Sequence, residues 1–149
     1  MAAGDYQAAV ALLQRALAAD PGEVNYLIDL SKAFIQVGQF AEGQHALESG
    51  ISSFSDPVKQ VQVWAALADL HIAWARNLKS SYAYDDAVRQ YLAAFDIDKI
   101  RRPPSAGLEL NQIGAIYKQA GAFERSIQFY EQALDWYRRT KNRLGEARR

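Results

Sequence analysis

The sequence predicts an all-α fold of about seven helices arranged as consecutive antiparallel pairs, and three observations predict it. Gly4-Asp5-Tyr6 with Ala9 and Ala16 returns 34 residues later as Gly38-Gln39-Phe40 with Gly43 and Gly50. A period of that size marks one supersecondary unit copied along the chain. Inside a copy the apolar residues fall at helical spacing, as in Ala9, Leu12, Leu13, Ala16 and Leu17, so each unit buries one face of a helix. The coils between copies are short and punctuated by Pro and Gly, at Asp20-Pro21-Gly22, Ser55-Asp56-Pro57 and Pro103-Pro104, residues that interrupt a helix or accept unusual dihedrals.

Taken in order, the first predicted helix runs from Gly4 to Asp20 and stands as a second helix without a first, giving a unit at 1–23. A full unit follows at 24–57, with Leu27, Leu30-Ser31 and Phe34 on one helix and Phe40, Gly43, Leu47 and Gly50 on the next. The third, at 58–102, carries Trp64, Leu67-Ala68 and His71, then Tyr84, Ala87, Tyr91 and Ala94, with seven residues more than the period between Ala68 and Ala87. Seven residues make about two helical turns. The segment from Trp74 to Ser81 is therefore expected to lengthen one or both helices. Pro103-Pro104 is read as a stiff connector, leading to a fourth unit at 105–138, and 139–149 as the start of an incomplete unit beyond a junction after Arg138. One domain, 1–149, is expected.

The fourth unit is the clearest copy. Its first helix reads Leu110-Asn111-Gln112-Ile113-Gly114-Ala115-Ile116-Tyr117, and Gly121-Ala122-Phe123, Ser126, Tyr130 and Ala133 follow. This order resembles the tetratricopeptide repeat, with a large residue, Gly and Tyr on one helix and a small residue, an aromatic and Ala on the other. Small residues let two backbones approach where helices cross, and the neighbouring aromatics fill the adjoining holes. The resemblance implies a right-handed superhelical solenoid of helix pairs whose function is to bind a protein or peptide without catalysis. In that family the first helices line a concave groove. The matching positions are Asn25, Ile28, Lys32 and Ile35, then Gln62, Ala65, Asp69 and Ile72, then Leu108, Asn111, Ala115 and Lys118. Such a lining suits an extended peptide or a helix, held by amides and apolar contacts. One branch of the family clamps a C-terminal carboxylate with Lys and Asn. Its positions fall here on Ile28, Lys32, Ala66, Leu108 and Gln112, a single cation that argues against two-sided capture.

Charge balances at 17 basic and 17 acidic residues, yet residues 1–98 carry 6 Lys and Arg against 12 Asp and Glu, and 99–149 carry 11 against 5. This polarity favours head-to-tail contact or an acidic partner. Self-assembly is the main rival to peptide binding, with Trp136 and Tyr137 expected to lie uncovered as an end interface. The cluster Arg138, Arg139, Lys141, Arg143, Arg148 and Arg149 motivates nucleic-acid binding, against which the acidic remainder of the chain argues. Cysteine is absent, no run of about eighteen uncharged apolar residues occurs and the N-terminus has no signal order, so a reducing, cytoplasmic setting without membrane insertion is expected. No cofactor or metal is expected. His71 takes an aromatic position of the repeat, His45 lies on another helix, and Asp85-Asp86 opens a helix where carboxylates favour the dipole.

Overall fold

A computed structural model describes residues 3–147, with side chains from 4 to 141, and the chain divides into two compact units between Trp74 and Ala75. Seven helices and no strand occur among the described residues: α1 (Ala3–Ala19), α2 (Val24–Val37), α3 (Phe40–Ser53), α4 (Pro57–Ser80), α5 (Tyr84–Arg101), α6 (Pro103–Gln119) and α7 (Phe123–Ala147). This is an all-α helical repeat, as the spacing predicts.

In the first unit, α2 buries Val24, Leu27, Leu30 and Phe34, a stripe at helical spacing. Val10 of α1 joins Leu30, Ala33 and Phe34 in the core, with Leu13 and Leu17 packed against it. The helix ends at Gly38, whose φ of 75° places it in the left-handed region, while Gln39 N–H reaches back to Phe34 O at 2.9 Å. Such a turn favours glycine because a Cβ is strained there. Along α3 the buried residues are Phe40, Gly43, Leu47 and Gly50. A Cβ on Gly43 would stand 2.6 Å from Leu70 Cδ1 and 3.3 Å from Phe34 Cβ, so a side chain here would have to turn the Leu70 methyl aside and press on Phe34. At the start of α4, Asp56 accepts a hydrogen bond from Val58 N at 2.9 Å, satisfying one of the free N–H groups of the first turn.

The second unit repeats the scheme with α5, α6 and α7. Ala87, Tyr91 and Ala94 face inward from α5, and Ala106, Leu110, Ile113 and Ile116 from α6. Ser126 Oγ donates to Gly114 O at 2.8 Å, and the Tyr130 ring lies against Gly114, where a Cβ would stand 3.0 Å away. The small and large residues singled out in the sequence therefore interlock as expected.

The seven extra residues of the third repeat lie almost wholly in α4. That helix has 24 residues against 14 in α2, and twelve of them follow Ala68 where six follow Ser31. Two expectations are corrected. Pro103 and Pro104 open α6, leaving Arg102 alone between α5 and α6, because a proline in the first turn lacks only an N–H that would have no helical partner. The junction expected after Arg138 is absent. Residues 139–147 continue α7, since no Gly or Pro interrupts the sequence from Phe123 to Leu144, and Thr140 Oγ1 caps Trp136 O at 2.9 Å within the helix.

Candidate functional site

Between α2 and α4 of the first unit lies an open cavity of about 270 Å³ lined by Ile28, Ser31, Lys32, Ile35, Gln62, Ala65, Ala66 and Asp69. Six of the eight groove positions expected from these two helices meet here. Asn25 and Ile72, the remaining two, do not line the cavity. Ser31 and Ala66 complete the lining as small residues that keep it open, Ser31 turning its hydroxyl back onto Ile28 O at 2.7 Å. Lys32 and Asp69 are exposed at the rim and Ile28 and Ile35 are half-buried. A surface with one cation, one anion, an amide and two branched aliphatics can take both backbone and side chains of a peptide.

In the second unit, Leu108, Asn111, Ala115 and Lys118 share one face of α6 by their spacing, with Leu108 and Lys118 exposed and Asn111 and Ala115 half-buried. A concavity of this unit, about 490 Å³, is lined by Arg76, Lys79 and Ser80 of α4, by Tyr82, by Tyr84 and Tyr91 of α5, and by Gln112 and Gln119 of α6. The extension that supplies its first three residues is legible in the sequence and the concavity itself is not, because its lining comes from four separate segments with no shared period.

Trp136 and Tyr137 are not uncovered, which corrects the expected end interface. Trp136 Nε1 donates to Pro103 O at 2.6 Å, and its ring meets Phe95 edge-on with centroids 5.4 Å apart. Tyr137 fits over Gly107, where a Cβ would stand 2.6 Å from its ring. A glycine on α6 makes the slot, so the two aromatics are spent on packing. Among the described side chains of α7, Phe123, Ile127, Tyr130 and Leu134 are the large apolar ones exposed, spaced to form one stripe.

Sequence reasoning also missed a buried carboxyl pair. Asp98 of α5 and Glu109 of α6 are both buried, and Arg102 Nε donates to Asp98 Oδ1 at 2.8 Å. Burial pushes the Glu109 carboxyl up to about 8, helped by its hydrogen bond to Asp98 and that residue's negative charge, against the pull of Arg102. Asp98 Oδ2 and Glu109 Oε2 have no hydrogen-bond partner with both groups ionised, and a proton held on Glu109 supplies the donor for its bond to Asp98. Burial also raises the Tyr137 hydroxyl, with Glu109 adding to it, and the Tyr91 hydroxyl, where the charge and hydrogen bond of Arg76 oppose the rise.

His71 is buried and stacks on Trp74 with ring centroids 6.4 Å apart, and Trp74 in turn stacks on Phe40 at 5.6 Å. The aromatic position of the repeat is thus filled by a packed histidine. Asp85 and Asp86 sit in the first turn of α5, where Asp86 pairs with Arg89 at 3.1 Å. No group of three or more His, Cys, Asp or Glu that could hold a metal occurs among the described residues. Arg138, Arg139 and Lys141 are exposed on α7, Arg139 bonding Asp135 at 2.8 Å and lying over Trp136. Arg148 and Arg149 lie outside the described residues, as does the Arg143 side chain. No helix of the described residues is long and apolar enough to cross a membrane.

Two family models described as the tetratricopeptide repeat match this chain, one over residues 1–70 and one over 110–140. Comparison with the curated proteins gives no match. Among solved structures, the crystal structure of MamA is 16% identical, with 93% of this chain and 92% of that one covered and a TM-score of 0.45. The crystal structure of BtubC (BKLC) from P. vanneervenii is 21% identical, with 92% of this chain and 56% of that one covered and a TM-score of 0.48.

Proposed function

The chain belongs to the tetratricopeptide-repeat family, and from that premise we propose that it is a non-catalytic interaction module whose α2–α4 groove holds a peptide or helix of a partner protein. The observation that carries this reading is the cavity of about 270 Å³ where Ile28, Lys32, Ile35, Gln62 and Asp69 converge. Its polar groups are few and placed at the rim, the arrangement that orients a ligand while apolar walls provide contact. Asn25 and Ile72 extend the surface along α2 and α4, and Leu108, Asn111 and Lys118 give the second unit a face of its own within the same module, residues 1–149. The absence of cysteine supports the cytoplasm as its compartment. Partner capture by the intact chain, compared between wild type and a Lys32→Glu, Gln62→Ala double variant, tests the groove. Loss of the partner with the far-UV circular dichroism unchanged supports it, and undiminished capture removes it.

A second reading, self-association, is favoured by the exposed stripe Phe123, Ile127, Tyr130 and Leu134 on α7, not by Trp136 and Tyr137. Light scattering across a concentration series decides it. Wild type that stays monomeric at the highest concentration ends this reading, whereas an oligomer dispersed by Ile127→Asp with Leu134→Asp upholds it.

A further inference from the structure

We propose that the concavity built by the extension of α4 is a second binding site, specific for an anionic segment of a partner protein, whether its anions are Asp and Glu carboxylates or phosphoryl groups. The inference rests on reading the chain as a protein-binding module and adds the chemistry of what is bound.

Its walls are chemically uniform. Arg76 and Lys79 supply two cations, Gln112 and Gln119 supply amides, Tyr82 and Tyr84 supply ring faces and hydroxyls, and no carboxylate lines the space of about 490 Å³. This contrasts with the α2–α4 groove, where Lys32 faces the same space as Asp69. The nearest acids in sequence, Asp85 and Asp86, lie outside the lining, and Asp86 is engaged by Arg89 at 3.1 Å. An Arg fork and a Lys ammonium side by side suit carboxylate or phosphoryl oxygens, and the amides can bond a peptide backbone. Arg76 is held by the buried Tyr91, whose hydroxyl it hydrogen-bonds, so its head group is positioned before a ligand arrives. Preorganisation of that kind lowers the entropic cost of binding.

The site belongs to this chain's departures from its own repeat. Arg76, Lys79 and Ser80 stand in the part of α4 that exceeds the length of α2. The turn that follows is made as in the other repeats. Gly38 and Gln39 bond Ile35 O and Phe34 O, Gly121 and Ala122 bond Lys118 O and Tyr117 O, and Tyr82 and Ala83 bond Lys79 O and Leu78 O. Yet the left-handed position taken by Gly38 (φ 75°) and Gly121 (φ 80°) is taken here by Tyr82 (φ 63°). A bulky residue at positive φ is an outlier that persists where surrounding structure imposes it, commonly at binding sites. Packing does not explain it, for Tyr82 is 78% exposed, its ring meeting Tyr84 edge-on at 6.2 Å on the rim of the concavity.

The test uses the full chain and three fluorescein-labelled peptides of one length: Ala-Glu-Ala-Glu-Tyr-Ala-Glu, its counterpart with Gln for Glu, and its counterpart with phosphoserine for Glu. Anisotropy should show saturable binding of one or both anionic peptides and none of the Gln peptide, the stronger of the two naming the source of the anion. Lys79→Glu should weaken that binding by about tenfold or more and Arg76→Lys by less, with amide shifts of Lys79, Tyr82 and Gln119 following the titration in the wild type. Because Lys79 is half-exposed at the last turn, its variant is expected to fold, and circular dichroism checks this. No saturable binding of either anionic peptide overturns the proposal. So does binding that survives Lys79→Glu and is lost on Arg138→Glu with Arg139→Glu. The natural partner separates the two readings: capture lost in Lys32→Glu with Gln62→Ala but kept in Lys79→Glu leaves the groove standing and removes this site, and the reverse does the opposite.

Discussion

Replacing Tyr82 by glycine should stabilise the second unit relative to replacing it by alanine, although both remove the same ring. Tyr82, at φ 63°, occupies the position held by Gly38 and Gly121 in the other turns. The left-handed conformation destabilises a residue bearing a Cβ by about 1–2 kcal/mol. Glycine escapes that penalty but loses about 0.5–1 kcal/mol through its freer unfolded chain, leaving Tyr82→Gly more stable than Tyr82→Ala by about 0.5–1 kcal/mol. The ring's own contribution is small, since Tyr82 is 78% exposed and touches chiefly Tyr84. Tyr82→Gly should therefore match or exceed the wild type. Calorimetry should place the two variants about 1–4 °C apart, given the entropy of unfolding of a chain this size, and urea unfolding should shift the midpoint without changing the slope. A glycine variant no more stable than the alanine variant would refute the claim that the turn is strained. A glycine variant that is more stable yet binds the anionic peptides more weakly would show strain retained for the sake of the tyrosine.

Three further outcomes are expected. Glu109 has its folded pKa raised from 4.5 to about 8, so between those values the folded chain keeps a proton that the unfolded chain releases. Its contribution to stability is full below the lower value and declines as pH rises towards the upper one, by on the order of a few kcal/mol; thermal unfolding across this range should show the decline in wild type and a flatter profile in Glu109→Gln, and equal slopes would exclude Glu109 as the source. Leu47 is fully buried in the first unit, and Leu47→Ala should destabilise that unit by about 2–5 kcal/mol through lost transfer energy and a residual cavity, read as a lowered denaturant midpoint. Trp136→Phe keeps the edge-on contact with Phe95 and removes the donor to Pro103 O; a loss of about 1–2 kcal/mol is expected in chemical denaturation, and an unchanged midpoint would place Pro103 O in contact with water.

The fold was legible because the repeat fixes both where helices cross and what must be small there. Gly43 and Gly114 stand where an added Cβ would press on Leu70 and Phe34 or on Tyr130, and Ser126 bonds Gly114 O; their spacing can be read without coordinates. Errors arose where a local signal has two meanings. Pro103-Pro104 can end a helix or begin one, and the absence of an intervening coil decided for the latter. The polar run Arg138-Arg139-Thr140-Lys141 resembles a coil in composition, yet nothing in it breaks a helix. The cover of Trp136 and Tyr137 is not legible in the sequence because it comes from Pro103 and Gly107 on the preceding helix, a tertiary relation with no periodic trace. The positions of the α2–α4 groove were implied by the resemblance to the tetratricopeptide repeat, whereas Glu109 required recognising an acid on the inward stripe of Ala106, Leu110 and Ile113.

What recognises a partner in a repeat protein must come from positions that packing does not consume. In the first unit the proposed groove offers Lys32, Gln62 and Asp69 for this, beside the buried stripe of Leu27, Leu30 and Phe34 on α2. In the second unit the stripe is kept, with Tyr91, Ile113 and Ala133 buried, and the departures are added beyond it. Twelve residues of α4 follow Ala68 where six of α2 follow Ser31, and the added length is helical throughout. The chain thereby gains Arg76 and Lys79 on a rigid helix instead of a loop, and a rigid support holds charged groups at the spacing a ligand requires. The tyrosine at the left-handed turn follows from the same economy of space: the turn geometry is already dictated by the helices on either side, so a strained residue can be held there and its ring placed at the rim, where glycine would leave nothing to bind with.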